Sequence, residues 1–556
     1  MSVNADLLTN SLLFFGRNWE LIFAILAFVL WGVVLTFAVL KKITNQNFTD
    51  TELVTLALGG WPIPALFISL PTILLRAFVP DEIVYIAIIG LMVISASFAL
   101  RVVWRCASLY FVLLLFFILI FIRLGFAADI ILPSYFDSAE HYRIIQVFLN
   151  MREPTKFIWP TASYYHIGYH ALVATLVTIM HANIAQVMLL FGQVILAAIP
   201  FPIYFFVYRA TNSRKAALFG IALAAFGWFM PAHAINWGKY PALLSLLLIQ
   251  LTLGMAAIKN RWMFALSLLA SILIHSRSVI LLAVFGIAWM ASTQIQEKRK
   301  LFFALAAAML GMSILLINRN QVLGPIFEPY RVWVTLPIGL LAVSVARSFP
   351  RLIFFSTLAM LGILAASFIP ISTLYTLLDR PLVEMVLFLP LAFLGGLGVV
   401  RLPKFAVILL TVFILYYAVT NYNFFPSDCC QLAGRDDAAA LDWMDRQLPT
   451  DARIAIASAD LSIDTISTPM QGTGTDAGIW VAPLTGHNVT DLPYYTDFLS
   501  QEMHTSLCDQ QVTHIYIGSR PQSFKADFVK DAPTWYETIF QLPNAQIVKV
   551  LGCNIE

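Results

Sequence analysis

Asp137, Glu140 and His141 stand at i, i+3 and i+4 in the stretch Phe136-Asp137-Ser138-Ala139-Glu140-His141-Tyr142. On a helix that spacing puts all three on one face within the first turns. An ionised carboxylate there can take a proton from a hydroxyl within hydrogen-bond reach. Asp137 is therefore a candidate general base, with Glu140 as a second acid. The same letters have a plainer use. Ser134-x-x-Asp137 and Asp137-x-x-Glu140 both match a helix N-terminal box, in which the acid satisfies backbone N–H groups. Further on, His166 and His170 are four apart, the spacing that aims two imidazoles at one ion. With His141 and Asp137 they make a candidate site for a divalent cation, Mg or Mn. No H-E-x-x-H strengthens it. Interfacial histidines bonded to backbone or head groups would read the same way.

A second set is basic and aromatic. Lys239, Arg277, Arg331 and Arg380 lie at the ends of apolar runs. A guanidinium there can hold a phosphate through two parallel hydrogen bonds, or it can simply snorkel to the membrane surface. Arg277 in His275-Ser276-Arg277 and Arg380 in Asp379-Arg380-Pro381 lead this set. Tyr165, Trp237 and Tyr240 can stack on sugar rings, and they equally fit an interfacial aromatic belt.

The elements that must carry these residues are membrane helices. Of 556 residues 60% are hydrophobic and 12% charged, about half the charge of a soluble domain, and the mean hydropathy is +0.81. Apolar runs fall at about 19–40, 53–78, 82–100, 106–125, 184–207, 215–232, 239–258, 261–275, 278–293, 301–317, 331–346, 351–369, 383–400 and 403–422. These fourteen runs predict a polytopic, mostly α membrane protein. Gly59-Gly60, Pro62, Pro64 and Pro71 predict a break in the second run. The first run is long enough to span and lacks a basic leader, so no cleavable signal peptide is expected. No G-x-x-x-x-G-K-[ST] points to an ATP-driven machine.

The stretch from 170 to 180 is apolar but too short to cross, which suits an interfacial or re-entrant helix. Counted so, alternate loops collect most Lys and Arg and mark the cytoplasmic side. The opposite face then receives the loop 126–183, His233, the Asn236–Pro241 turn, His275-Ser276-Arg277 and Asp379-Arg380. From 423 onward acids outnumber Lys and Arg by 17 to 7. There 435–447 reads as a helix, and the runs starting at Arg453, His514 and Gln546 read as buried strands. This part is predicted to be a small external α/β domain. It holds Cys429, Cys430, Cys508 and Cys553. Four cysteines fit an oxidising compartment and two disulfides, with adjacent Cys429 and Cys430 expected to pair elsewhere. Cys106, in an apolar run, reads as an inert core thiol.

The arrangement resembles the GT-C glycosyltransferases, integral-membrane enzymes that use polyprenyl-phosphate-linked sugars. The likeness covers about Arg105 to Glu556: many spans, a first large external loop with an acid beside membrane-parallel helices, and an external C-terminal domain. Residues 1–105 would be additional helices, 106–422 the core and 423–556 the soluble domain. The loop 126–183 has no clear paired D-D or E-D, and there is no clean second motif. The resemblance implies an inverting transferase moving sugar from a polyprenyl phosphate to a glycan, lipid or protein acceptor. Asp137 would be the base, and Arg277 or Arg380 would sit on the lipid phosphate. The expected location is the cytoplasmic membrane of a prokaryote, with the active face periplasmic. A transporter or flippase is the first rival, and a scaffold presenting the C-terminal domain is the second.

Overall fold

The computed structural model describes residues 3–44, 48–76, 78–128, 130–150, 166–294, 326–371, 376–421, 426–463 and 471–553. Among the described residues, seven segments are long and apolar enough to cross a membrane: Leu7–Ile43, Asp50–Arg76, Asp81–Val103, Ala107–Ala127, Ile184–Thr211, Tyr240–Ile258 and Arg380–Gly398. The helices that carry them begin with α1 (Val3–Ile43), α2 (Asp50–Gly60), α3 (Pro62–Arg76), α4 (Asp81–Val103) and α5 (Ala107–Ala127). Several of the fourteen expected runs form shorter apolar helices, among them Arg261–Ile274 and Val332–Ser344. A helix of about 14 residues is roughly 21 Å long at 1.5 Å per residue, less than a full hydrocarbon core. The expected run at 301–317 lies outside the described residues. The predicted break in the second run falls at Trp61, between α2 and α3. Gly60 permits a close approach there: a Cβ on it would lie 2.6 Å from the Thr36 methyl of α1. Pro62 then opens the next helix.

Loop helix α6 (Phe136–Leu149) buries Ile144, Ile145 and Phe148. Helix α7 (Gly168–Met180) is the short apolar segment, and it packs against α3 and α6. Then follow α8 (Ile184–Ala198), α9 (Pro202–Thr211), α10 (Arg214–Phe226), α11 (Tyr240–Ile258), α12 (Arg261–Ile274) and α13 (Ser278–Gln294).

The helix ends sort into two groups. At one end, basic residues from separate loops meet partners: Lys41 with Asp50 (3.1 Å), Arg209 with Glu52 (3.8 Å), Lys215 with the Leu402 carbonyl and Arg401 with Ser348. At the other end lie the start of α1, which meets the end of α5 near Gly125, then α6 and the C-terminal domain.

The C-terminal domain is built on a mixed sheet of β1 (Arg453–Ile463), β2 (Gln471–Gly474), β3 (Asn488–Pro493), β4 (His514–Ile517), β5 (Tyr536–Gln541) and β6 (Gln546–Val550). Its order is β2-β1-β4-β6-β5, with β3 also on β1. Strand β1 runs parallel to β3 and β4, and β6 runs antiparallel to β4 and β5. The three strands expected from sequence are β1, β4 and β6. Alternate residues enter two cores. Ile454, Ile456, Tyr516 and Ile547 face the helix Arg435–Gln447, whereas Ala455, Ala457, Ile515, Ile517 and Val548 pack with Phe498, Phe528 and Tyr536. With both faces covered, these strands read as continuous apolar runs.

The cysteine expectation needs one correction. Cys508 pairs with Cys553, but Cys429 pairs with its own neighbour, Cys430. The pair sits in a turn closed by the Cys430 N–H donating to the Ser427 carbonyl (3.0 Å). Cys106 is a buried free thiol, as expected.

Candidate active site

Helix α6 enters through Tyr135, which adopts φ +69°, a region that non-glycine residues seldom occupy. Two bonds fix the entry. The Tyr135 N–H donates to the Cys430 carbonyl (2.9 Å), and the Ser138 hydroxyl donates to the Ser134 carbonyl. Asp137 therefore stands in the first turn, its side chain 24% exposed.

The opposite wall is the turn between α10 and α11. A 3-10 helix, Ala232–Trp237, ends at Gly238 with φ +65°. A Cβ on Gly238 would lie 2.6 Å from the Ser138 hydroxyl and 2.8 Å from the Ser138 nitrogen. Only glycine lets this turn rest on the start of α6. The next residue, Lys239, ion-pairs with Asp137. Buried Asn236 accepts a hydrogen bond from the Ser427 N–H (2.9 Å), which ties the turn to the linker of the C-terminal domain.

The third wall joins the α12–α13 turn to the start of helix Arg380–Val386. There Arg277 Nη1 lies 2.6 Å from Asp379 Oδ1. Asp137, Lys239, Arg277 and Asp379 surround one cavity of about 180 Å³. His141, His166 and His275 complete its polar side, and Pro241, Leu382 and Met385 form an apolar side. Burial lowers the Lys239 pKa, but Asp137 and Asp379 outweigh it, so the ammonium ends above the ordinary lysine value. Burial holds the His141 and His166 imidazoles well below their usual range and brings His275 to about 4. At neutral pH these three histidines are uncharged, and the charge balance of the cavity rests on two acids and two bases.

The histidines form a chain. The His166 and His275 rings are 4.6 Å apart, His141 Nδ1 is 3.0 Å from His170 Nε2, and His170 Nδ1 is 3.2 Å from the His166 carbonyl. Both nitrogens of His170 are thus engaged. Among the described residues, the sole group of three metal-type donor atoms lying together is His504, Cys508 and Cys553, and its two sulfurs form the disulfide. The expected set of His141, His166 and His170 does not gather three donors around one point.

Other expected site residues are placed elsewhere. Glu140 is buried and bonded to Arg143 (3.2 Å). Arg380 turns to Glu384 (2.6 Å), and the Arg331 guanidinium lies 5.4 Å from the Phe229 ring centre. Tyr240 is fully buried and stacked on Tyr169 at 5.8 Å, so that face is closed to a sugar. Trp237 meets the His233 ring edge-on. Tyr165 lies outside the described residues. Two cavity residues, His275 and Asp379, were not among the expected site residues. Each occupies the same turn as an arginine that was expected, Arg277 and Arg380, and that adjacency was the signal.

No known family model matches this chain, and no curated protein matches it in sequence.

Proposed function

We propose that the protein is a glycosyltransferase of GT-C type that uses a polyprenyl-phosphate-linked sugar and works at the membrane surface bearing the C-terminal domain. The observation that carries this reading is the shared cavity. Two carboxylates, two cations and an apolar wall meet at one end of the apolar helices. Asp137 takes the proton of an acceptor hydroxyl on a glycan, lipid or protein. The acceptor oxygen bonds to the sugar carbon as the carbon–oxygen bond to the phosphate breaks, with inversion. Lys239 and Arg277 hold the charge that gathers on the departing phosphate, an interaction stronger in the transition state than in the bound donor. The apolar wall of Leu382 and Met385 takes the first carbons of the lipid. In this reading fourteen helices cross, and the active face is periplasmic.

The test is sugar transfer in proteoliposomes from radiolabelled polyprenyl-phosphate donors. Asp137→Asn keeps the side-chain volume and removes the charge, so turnover should fall by roughly 10²-fold or more. Turnover near the wild-type level would remove Asp137 as base. A transporter or flippase reading is weaker, because the ionisable groups of the cavity gather at one end instead of along a path through the midplane.

A further inference from the structure

Both cations of the cavity are already occupied. Lys239 is ion-paired with Asp137, and Arg277 is ion-paired with Asp379. The four side chains keep 27, 24, 30 and 36% of their surface, respectively. These pairs are therefore not sealed salt bridges of a core. They are open to whatever fills the cavity between them. Two positive and two negative groups leave the empty cavity neutral. The phosphodiester of a lipid-linked donor carries one negative charge and the monophosphate it leaves behind nearly two, and either would meet two carboxylates as well as two cations.

We propose that Asp137 and Asp379 are resident counter-ions that an incoming phosphate displaces, so that Asp137 is freed to accept a proton only once phosphate holds Lys239. The exchange is ionic. No covalent bond changes, and the number of charges on Lys239 and Arg277 is constant. Arg277 can keep one N–H on Asp379 while another turns to the phosphate, because its guanidinium carries five donors. Lys239 also has three N–H donors, but they sit on one compact charge without a fixed fork, so phosphate and Asp137 compete for it directly. The consequence falls on Asp137, whose Oδ2 is held by the Lys239 ammonium and becomes open to an acceptor hydroxyl once that ammonium turns to phosphate. Donor would thus bind before an acceptor hydroxyl reaches Asp137. This inference rests on the reading of the cavity as a phosphate site and adds the order of events within it.

The experiment measures phosphate affinity, not turnover. The full chain in detergent is titrated with inorganic phosphate and, separately, with a short-chain prenyl monophosphate. Asp137→Asn and Asp379→Asn should each bind the prenyl monophosphate tighter than wild type, by about tenfold, because each removes a competing anion and keeps the volume. Lys239→Gln and Arg277→Gln should bind it more weakly by a similar factor. Should Asp137→Asn fail to elute as a monodisperse species, Asp379→Asn decides with the same sign. Unchanged or weaker binding in the folded acid variants overturns the exchange, as does a wild-type protein that binds neither probe. Equal affinity for both probes, with the tightening retained, leaves the exchange standing and removes the lipid-linked donor from the functional reading.

Discussion

Two carboxylates show what environment does to one residue type. Asp137 faces a cation at the rim of a cavity. Asp476, in the C-terminal domain, is fully buried and has no basic partner among the described residues. It accepts hydrogen bonds from the Gly478 N–H (2.8 Å) and the Ser523 hydroxyl. Burial raises its pKa to about 7. The hydrogen bonds pull it back, and nearby Asp437 pushes it further up. The folded chain therefore binds this proton more tightly than the unfolded chain does. The stability it contributes is fully present below about pH 4 and is lost as pH rises through about 7. We expect the melting temperature of the full chain, followed by a probe in residues 426–553, to fall between pH 5 and pH 8. Asp476→Asn can accept from Gly478 and donate to Ser523 with no charge to bury, so it should flatten that slope and stabilise the domain at pH 8. A slope unchanged by Asn would place the titration elsewhere.

At the scale of elements, the cavity walls are fastened by the linker that leads into the C-terminal domain. The Ser427–Cys430 turn binds Asn236 on one side and Tyr135 on the other. Gly238 rests directly on Ser138, and Lys239 closes the ring on Asp137. The C-terminal domain adds a second contact, since Trp480 meets the Tyr142 ring of α6 at 5.5 Å, edge to face. Gly238→Ala should force α6 and the turn apart, because the new Cβ would overlap Ser138 and φ would cost roughly 1–2 kcal/mol. Turnover should fall at least tenfold, a shift of the order produced by roughly 1 Å of misplacement. Gly90→Ala, in α4 with open space around it, is the control and should leave turnover intact. Asn236→Ala leaves the Ser427 N–H without its acceptor, at a cost of roughly 1–3 kcal/mol. That variant should expose the linker to protease before it lowers the melting point of the sheet.

Across the whole molecule, one end gathers loop cations with Asp50 and Glu52, and the other gathers the cavity and the C-terminal domain. In the proposed reading the two ends lie on opposite sides of the membrane. A cysteine at Asp451, exposed in the C-terminal domain, should react with an impermeant maleimide added from outside intact cells, whereas one at Ser213 should not. Reaction at both positions from the same side would sink this topology. The Cys508–Cys553 bridge closes a loop of 45 residues and ties the end of the chain to the sheet. By loop entropy it contributes roughly 4 kcal/mol, so reductant should lower the melting point of residues 426–553 by well over what it does to the membrane helices.

Much of this was fixed by patterns that are local. Apolar runs separated by charged turns define the helices, because a backbone in lipid must satisfy its own hydrogen bonds. The helix over 435–447 and strands β1, β4 and β6 were legible because period and length speak for themselves there. Alternation of charge between loops sufficed to place Asp137, Lys239 and Arg277 on one face. Partnership was not legible. That Lys239 belongs to Asp137 and Arg277 to Asp379, across 102 positions in each case by subtraction of their numbers, depends on how α6, α11 and the Arg380–Val386 helix pack. Tyr240 and Arg380 carry the right chemistry for a site, yet packing turns one into a buried stack and the other toward Glu384. The pairing of Cys429 with Cys430 was likewise decided by a turn. Sequence determines which side chains reach a given face. Which of them meet within a few ångströms is set by long-range packing, whose contacts join residues too far apart for any local period to register.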